Sequence, residues 1–486
     1  MSRVLFLLAL AGCASPFGHA KREGPPNVLL VSLDTFRADR VGALGNPDGL
    51  TPNLDRFAAE GITFTHAYSQ ASVTLPSHTS ILTSRYPSEV AGSSRAANIA
   101  PDMYTLPQVL GAYGYQTAAR VAGGDLSPRI GPTKGFDTYE GSVDFGSLYH
   151  TVPMGLDWLD ARDAAKPFFL FVHTYDTHAP YMKPTPFGLA RTADPGVSEA
   201  QRGILAATAR VMDGRLHTSF DLLDAVTRTR LRPRAPEGRA ELAAIVAGIQ
   251  PPLAPVGPAD EDLIRDVYDG AVAYTDAWFG VFMARLQERD LLDDTVIVVL
   301  ADHGDVLGEG GLFHRCCTLG DEVSHVPLLV RLPGGEGGGK RVDAVVELVD
   351  VLPTVLTLVG AEPPAGIRGT SLAPALRGEP FAGHPFAMTQ GGLGFRMLSA
   401  RSAAGRLTYT GIQATDPLLA DMLATAQLDG PAFEATEGIP AADLETQRTA
   451  MVTWFRSLRQ PKSDSAVETP PELKEQLKAR GYWDAK

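Results

Sequence analysis

Five stretches of the chain carry residue types that could act together in hydrolysis. In Ala71-Ser72-Val73-Thr74-Leu75-Pro76-Ser77-His78, a hydroxyl and an imidazole stand four residues apart at the predicted start of a helix. Pro76 fits a first turn, where its missing N–H leaves nothing unsatisfied. Thr74 then sits at the mouth of a helix N-terminus, where unpaired N–H groups and the dipole favour an anionic substrate group. His78 lies one turn below it, within side-chain reach. Alone, this stretch is better read as a capped helix after a polar turn. Its neighbours change that reading. Asp34 ends the apolar run Asn27-Val28-Leu29-Leu30-Val31-Ser32-Leu33, and Asp302-His303-Gly304 ends Val296-Ile297-Val298-Val299-Leu300-Ala301. A third run, Phe168-Phe169-Leu170-Phe171-Val172, leads to His173, Asp176 and His178, and a glycine-rich loop, 304–320, carries His314 and Arg315. Two carboxylates and an imidazole, Asp34, Asp302 and His303, form a candidate metal site, with the Thr74 hydroxyl completing it. That donor set suits Mn²⁺ or Zn²⁺ better than Ca²⁺, which wants more oxygens.

The elements needed to bring these groups together are legible in the same runs. Continuous β-branched segments of this length predict buried parallel strands. Acidic groups just past their ends fall at the carboxyl edge of the sheet, where open α/β folds place their sites. Between them the pattern predicts helices over Thr51–Gly61 (capped, with a glycine stop), Leu106–Tyr113, 151–165 and Leu263–Leu292. Gln116–Val121 and Val326–Leu332 are predicted as strands, Gly131–Tyr139 as a loop and Val349–Val359 as a helix. Residues 185–260 read as a helical insertion over or beside the site. Beyond residue 380 the pattern weakens to short strands and a polar helix. Strands alternating with helices predict an α/β fold.

Length and composition narrow the function. A chain of 486 residues with 44% hydrophobic and 20% charged residues is long enough for a large core. Its net charge of −13 argues against nucleic acid or an anionic membrane as the main partner. At the N-terminus, Arg3 precedes a short apolar run too brief to span a bilayer. Leu10-Ala11-Gly12-Cys13 resembles the bacterial lipobox, which implies cleavage before Cys13 and a lipid on its sulfur. Ala14 is not the aspartate that retains lipoproteins at the inner membrane, so an exported, outer-membrane lipoprotein is expected. Only Cys316 and Cys317 then remain. Adjacent cysteines pair only at strained geometry, so no disulfide framework is expected.

Taken in order, Asp34, the Thr74-x-Pro76-Ser77-His78 motif, His178-Ala179-Pro180 and Asp302-His303 resemble the sulfatase family of the alkaline phosphatase superfamily. The resemblance extends to Val326–Gly334 and Pro471–Tyr482. It implies an alkaline-phosphatase-like α/β/α sandwich with a large, mostly parallel sheet and a smaller C-terminal subdomain. The expected organisation is a signal peptide (1–12), a tether (13–26), a catalytic domain (27–380) and an α+β subdomain (381–486). The implied activity is metal-dependent hydrolysis of sulfuric or phosphoric esters, on a small molecule, glycan or lipid headgroup. By the same resemblance, Thr74 is the nucleophile. His78, His178 and His314 bind ester oxygens or protonate the leaving group, and Arg315 assists binding. Asp176 could join His178 and His314 around a second metal, as in two-metal relatives. The chain departs from the family in three places. Thr74 stands where the family has the Cys or Ser that is oxidised to formylglycine, so that chemistry is excluded; His78 replaces the motif arginine; and Thr35 replaces the second early aspartate. These losses also allow a non-catalytic, lipid-anchored binding protein that keeps only the fold.

Overall fold

In the computed structural model the described residues are 24–90, 99–100, 103–142, 145–179, 181, 183, 258–309, 318–391, 397–409, 433–435 and 441–458. An eight-stranded sheet runs through the centre in the order β4-β3-β5-β1-β6-β7-β2-β8. Its strands are β1 (Asn27–Leu33), β2 (Ile62–Tyr68), β3 (Gln116–Val121), β4 (Thr138–Gly141), β5 (Phe168–Thr174), β6 (Thr295–Leu300), β7 (Leu328–Arg331) and β8 (Lys340–Glu347). The three chemistry-bearing runs are neighbours, because β1 pairs in parallel with β5 on one side and β6 on the other. All three are wholly buried, which is why their sequences show no polar alternation. β7 runs antiparallel to both β6 and β2, so the sheet is mixed but mostly parallel.

The helices form two groups, each packed within itself. On one side lie α1 (Pro52–Glu60), α5 (Leu148–Ala161) and α6 (Pro258–Gln287); on the other, α2 (Thr74–Thr83), α3 (Pro87–Val90), α4 (Leu106–Ala112) and α8 (Val351–Val359), α7 being the single turn Asp321–Ser324. The expected α/β/α layering is therefore present. Sequence boundaries moved where local pattern was weak. Thr138 and Tyr139, read as loop, join β4, which pairs only with β3 at the sheet edge. α5 begins at Leu148 rather than 151, because Ser147 caps it and Pro153 is tolerated inside. α6 begins five residues before the expected Leu263. Both the 185–260 insertion and the 471–482 tail fall outside the described residues, apart from 258–260, the first three residues of α6.

A second sheet of four antiparallel strands, β12-β11-β10-β9, lies in the C-terminal part: β9 (Ala387–Gly391), β10 (Met397–Arg401), β11 (Arg406–Tyr409) and β12 (Phe433–Ala435). β9 grips the stretch that leads into α2. Gln390 N–H donates to the Gln70 carbonyl at 2.9 Å, and Thr389 Oγ1 donates to the Ser69 carbonyl at 2.7 Å. No helix among the described residues is long and apolar enough to cross a membrane.

Candidate active site

The register of the three central strands sets the site. Ser32 of β1 faces His173 of β5 and Leu300 of β6, so Asp34, Thr174–His178 and Asp302–His303 all emerge at one sheet edge. α2 enters the same edge with Thr74 as its first residue, preceded by Val73, which offers no side-chain cap. Hydroxyls fasten α2 to the β6 loop: Ser77 Oγ donates to the Asp302 carbonyl at 2.7 Å, and Ser69 Oγ donates to it as well. Pro76 stands at the third helical position, where the absent N–H again costs nothing.

One ligand atom from each of Asp34, Asp302 and His303 lies within 4.8 Å of the others, and no comparable group of His, Cys, Asp or Glu occurs among the described residues. All three side chains are fully buried. The His303 ring is already oriented: Nδ1–H donates to the Gly304 carbonyl at 2.7 Å, which leaves the Nε2 lone pair facing the carboxylates. Nε2 is 3.4 Å from Asp302 Oδ2 and 3.5 Å from Thr74 Oγ1. Asp34 Oδ1 is buried without a hydrogen-bond partner. Burying two carboxylates side by side costs several kcal/mol per ion unless a cation offsets it. The donor set therefore fits a divalent metal. Burial alone would raise the Asp34 pKa, but the hydrogen bond to His173 and the neighbouring imidazoles hold it well below the usual carboxylate range.

Several side chains position these groups. His173 Nδ1 accepts from Ala122 N–H at 3.5 Å, so its Nε2–H is the donor to Asp34 Oδ2, 3.4 Å away. Thr177 Oγ1 donates to the Asp34 carbonyl at 2.6 Å. Gly304 has its own reason: a Cβ there would lie 2.1 Å from the Glu322 carbonyl, so the loop closes only on glycine. Thr35 takes φ +56°, a conformation rare for a β-branched residue and costing about 1–3 kcal/mol. Its hydroxyl donates to the Asp34 carbonyl at 2.7 Å, so Thr35 does not replace the lost second aspartate as a ligand.

Two expected roles change with the geometry. His78 does reach Thr74, but through the main chain: Nδ1–H donates to the Thr74 carbonyl at 2.8 Å, and Nε2 accepts from Ser32 Oγ at 2.8 Å. Burial, then repulsion from His173, pushes its pKa down to about 3, so it is a neutral brace with both nitrogens engaged. Nothing in that arrangement presents it to a substrate oxygen. Asp176 is likewise engaged. Oδ2 accepts from Leu148 N–H at the start of α5 (2.8 Å) and from Thr174 Oγ1 (2.6 Å), while Oδ1 is 3.0 Å from Lys183 Nζ. A carboxylate held by a helix N-terminus and an ammonium is a poor ligand for a second cation. His178 stays at the edge, 5% exposed, its Nδ1–H on the Ala179 carbonyl at 2.8 Å and its ring against Phe145 and Tyr175. His314, Arg315, Cys316 and Cys317 lie outside the described residues, as does Cys13.

The sequence reading missed Ser32, Thr177 and Tyr268, whose hydroxyl donates to the Thr35 carbonyl at 2.7 Å. Ser32 had a visible signal as a polar residue inside an apolar run, two positions before Asp34 and on the same strand face. Tyr268 had none, lying 233 positions from its partner.

Comparison with known proteins agrees with this geometry. The family model "Sulfatase" matches residues 26–361. An N-acetylglucosamine-6-O-sulfatase of Bacteroides thetaiotaomicron is 27% identical over 425 residues, covering 77% of this chain and 75% of that protein. A structure solved with its substrate D-glucosamine-2-N,6-O-disulfate superposes with a TM-score of 0.65 at 20% identity, over 91% of this chain and all of that one. The phosphonate monoester hydrolase of Agrobacterium radiobacter follows with a TM-score of 0.63 at 18% identity, over 92% of this chain and all of that one. With the ordered motifs, the buried acidic–imidazole cluster and the family match in hand, the chain is an ester hydrolase belonging to the sulfatase family.

Proposed function

We propose that this protein hydrolyses sulfuric or phosphoric mono- and diesters with Thr74 as nucleophile and a divalent metal, Mn²⁺ or Zn²⁺, held by Asp34, Asp302, His303 and the Thr74 hydroxyl. The observation that carries the reading is the approach of Thr74 Oγ1 to His303 Nε2, 3.5 Å, beside two fully buried carboxylates. A binding module has no need of a hydroxyl in that position. When bound, the metal supplies Lewis acidity, lowering the proton affinity of the Thr74 hydroxyl and offsetting charge on the ester. The chain's own residues do the rest. His173 and Thr177 orient Asp34; Ser69 and Ser77 hold the Asp302 backbone against α2; His78 and Ser32 brace the Thr74 carbonyl. Thr74 Oγ1 bonds to the central sulfur or phosphorus as the bond to the leaving oxygen breaks. The proton that Thr74 Oγ1 gives up passes to solvent; His178, with His314 and Arg315 as expected partners, binds the non-bridging oxygens and gives a proton to the leaving oxygen.

Chemistry tilts the substrate towards phosphorus. By family resemblance, a formylglycine hydrate can release sulfate by breaking its own C–O bond. Thr74 has one hydroxyl, so water must open its covalent intermediate at the central atom, which oxyanion-binding groups support well for phosphorus. Both a sugar sulfatase and a phosphonate monoester hydrolase stand among the similar proteins, so sulfate esters of glycans or small molecules remain within the reading. We also propose that the mature protein is exported and lipid-anchored through Cys13.

The test is a panel of aryl phosphate, phosphodiester, phosphonate and sulfate esters, assayed with added Mn²⁺ or Zn²⁺. The phosphodiester or phosphonate should be cut faster than the matching sulfate, and Thr74→Ala should abolish both. Faster sulfate cleavage removes the preference, and full activity in Thr74→Ala removes the nucleophile.

A further inference from the structure

The turn that carries Asp34 is built on the wrong kind of residue. Phe36 N–H closes it onto the Leu33 carbonyl at 3.3 Å, and the third position, where φ is positive, belongs by preference to glycine or asparagine. Here it is Thr35, at φ +56° and fully buried. Such a conformation persists only where surrounding contacts over-determine it.

Those contacts can be traced. Thr35 N–H donates to Asp302 Oδ1 at 3.2 Å, and Thr35 Oγ1 donates to the Asp34 carbonyl at 2.7 Å. Both belong to the two loops that meet at the cluster. The remaining fastening comes from elsewhere in the fold. Tyr268, on α6, donates its hydroxyl to the Thr35 carbonyl at 2.7 Å and accepts from Arg37 N–H at 3.0 Å. One phenol oxygen thus bridges the residues on either side of Phe36, satisfying an acceptor and a donor that are both out of water. Tyr268 is itself fully buried, with its ring edge-on to Tyr181 at 5.2 Å, so its hydroxyl has little freedom to move away. Tyr181 in turn donates to Asp305 Oδ2 at 2.6 Å, beyond Asp302 and His303 on the other loop.

We propose that Tyr268 is a positioning residue for the metal site, holding the Asp34–Thr35 turn in its left-handed form so that Asp34 and Asp302 converge. The inference rests on the metal reading above. It assigns a long helix, which contributes no ligand, a direct part in metal affinity. Loss of the phenol oxygen strands the Thr35 carbonyl and the Arg37 N–H and frees the turn to relax, carrying Asp34 with it. Outer partners of metal ligands of this kind change affinity by roughly 10–100-fold.

Mn²⁺ and Zn²⁺ titrations by calorimetry test it, on wild type, Tyr268→Phe and Tyr268→Phe/Thr35→Gly, each shown by circular dichroism to be folded at the working temperature. Phenylalanine keeps the ring against Tyr181 and removes one oxygen. Tyr268→Phe should bind about 10-fold or more weakly. The added glycine, which adopts positive φ without strain, should recover most of that loss. Equal affinity in Tyr268→Phe and wild type overturns the inference while leaving the metal reading intact. A loss that Thr35→Gly does not recover also overturns it, since Tyr268 would then act through packing. Failure of wild type itself to bind either ion overturns the metal reading, and this inference with it.

Discussion

Glu347 offers the most quantitative test of how the small sheet is held against the site. It ends β8 and is 1% exposed, with Met388 N–H donating to Oε1 at 2.6 Å and Tyr86 Oη–H to Oε2 at 2.7 Å. Asp350, three residues on, adds a second buried carboxylate, whose oxygens lie 2.8 and 3.0 Å from His384 Nε2. Burial is the main influence on Glu347; opposed by His384 and aided by Asp350, it raises the pKa from 4.5 to about 7. The folded protein therefore keeps this proton over a range where the unfolded chain has released it. The resulting stability is fully present below about pH 4.5 and is lost as the pH rises through about 7. The gap between the two values is worth about 3 kcal/mol. His384, held by Asp350 against the opposing effect of burial, rises to about 9, so its own contribution also fades with increasing pH. The buried Asp34 has the opposite sign, because its pKa is depressed. Only the difference between a variant and wild type isolates Glu347. In Glu347→Gln the amide can still accept from Met388 N–H and can donate to the Tyr86 oxygen. Urea unfolding at about pH 5 should give similar stabilities for the two proteins. At about pH 8.5 the variant should be more stable by up to about 3 kcal/mol. A stability difference that does not change with pH would mean that Glu347 is ionised throughout, and the assignment would fail. The result bears on catalysis because β9, docked beside Glu347, grips Ser69 and Gln70 just ahead of Thr74.

Removal of single groups should separate ligands from their supports. His303→Ala should lose bound metal on elemental analysis of the purified protein, whereas His173→Ala should retain it with roughly 10-fold weaker affinity, since His173 only donates to Asp34. Equal metal content in His303→Ala and wild type would remove His303 from the site. For the anchor, wild type should partition into detergent and Cys13→Ser into the aqueous phase; if both stay aqueous, no lipid is attached at Cys13.

What the sequence determined by itself was the chemistry-bearing edge. β1, β5 and β6 are buried on both faces, so their runs are continuously apolar, and the first polar residues after them had to emerge at one end of the sheet. Asp34, Asp302, His303 and His178 were legible for that reason, and Thr74 for its place at the start of a helix. The fold class followed from the same alternation of runs and amphipathic segments. The direction of β7 was not encoded locally, because an apolar strand reads the same whichever way it runs. The work of His78 also escaped the sequence. Four residues from Thr74, it could have faced a substrate; the Thr74 carbonyl takes its Nδ1–H, and only the Ser32 hydroxyl, 46 positions away, engages its second nitrogen and takes it out of reach. Asp176 was open to a role at a second metal, and only the start of α5 and Lys183, brought to it by the fold, show its oxygens already engaged. Tyr268 had no signal at all. A side chain's role follows from the partners that saturate its donors and acceptors, and in this protein those partners arrive from across the sheet, at separations no local pattern records.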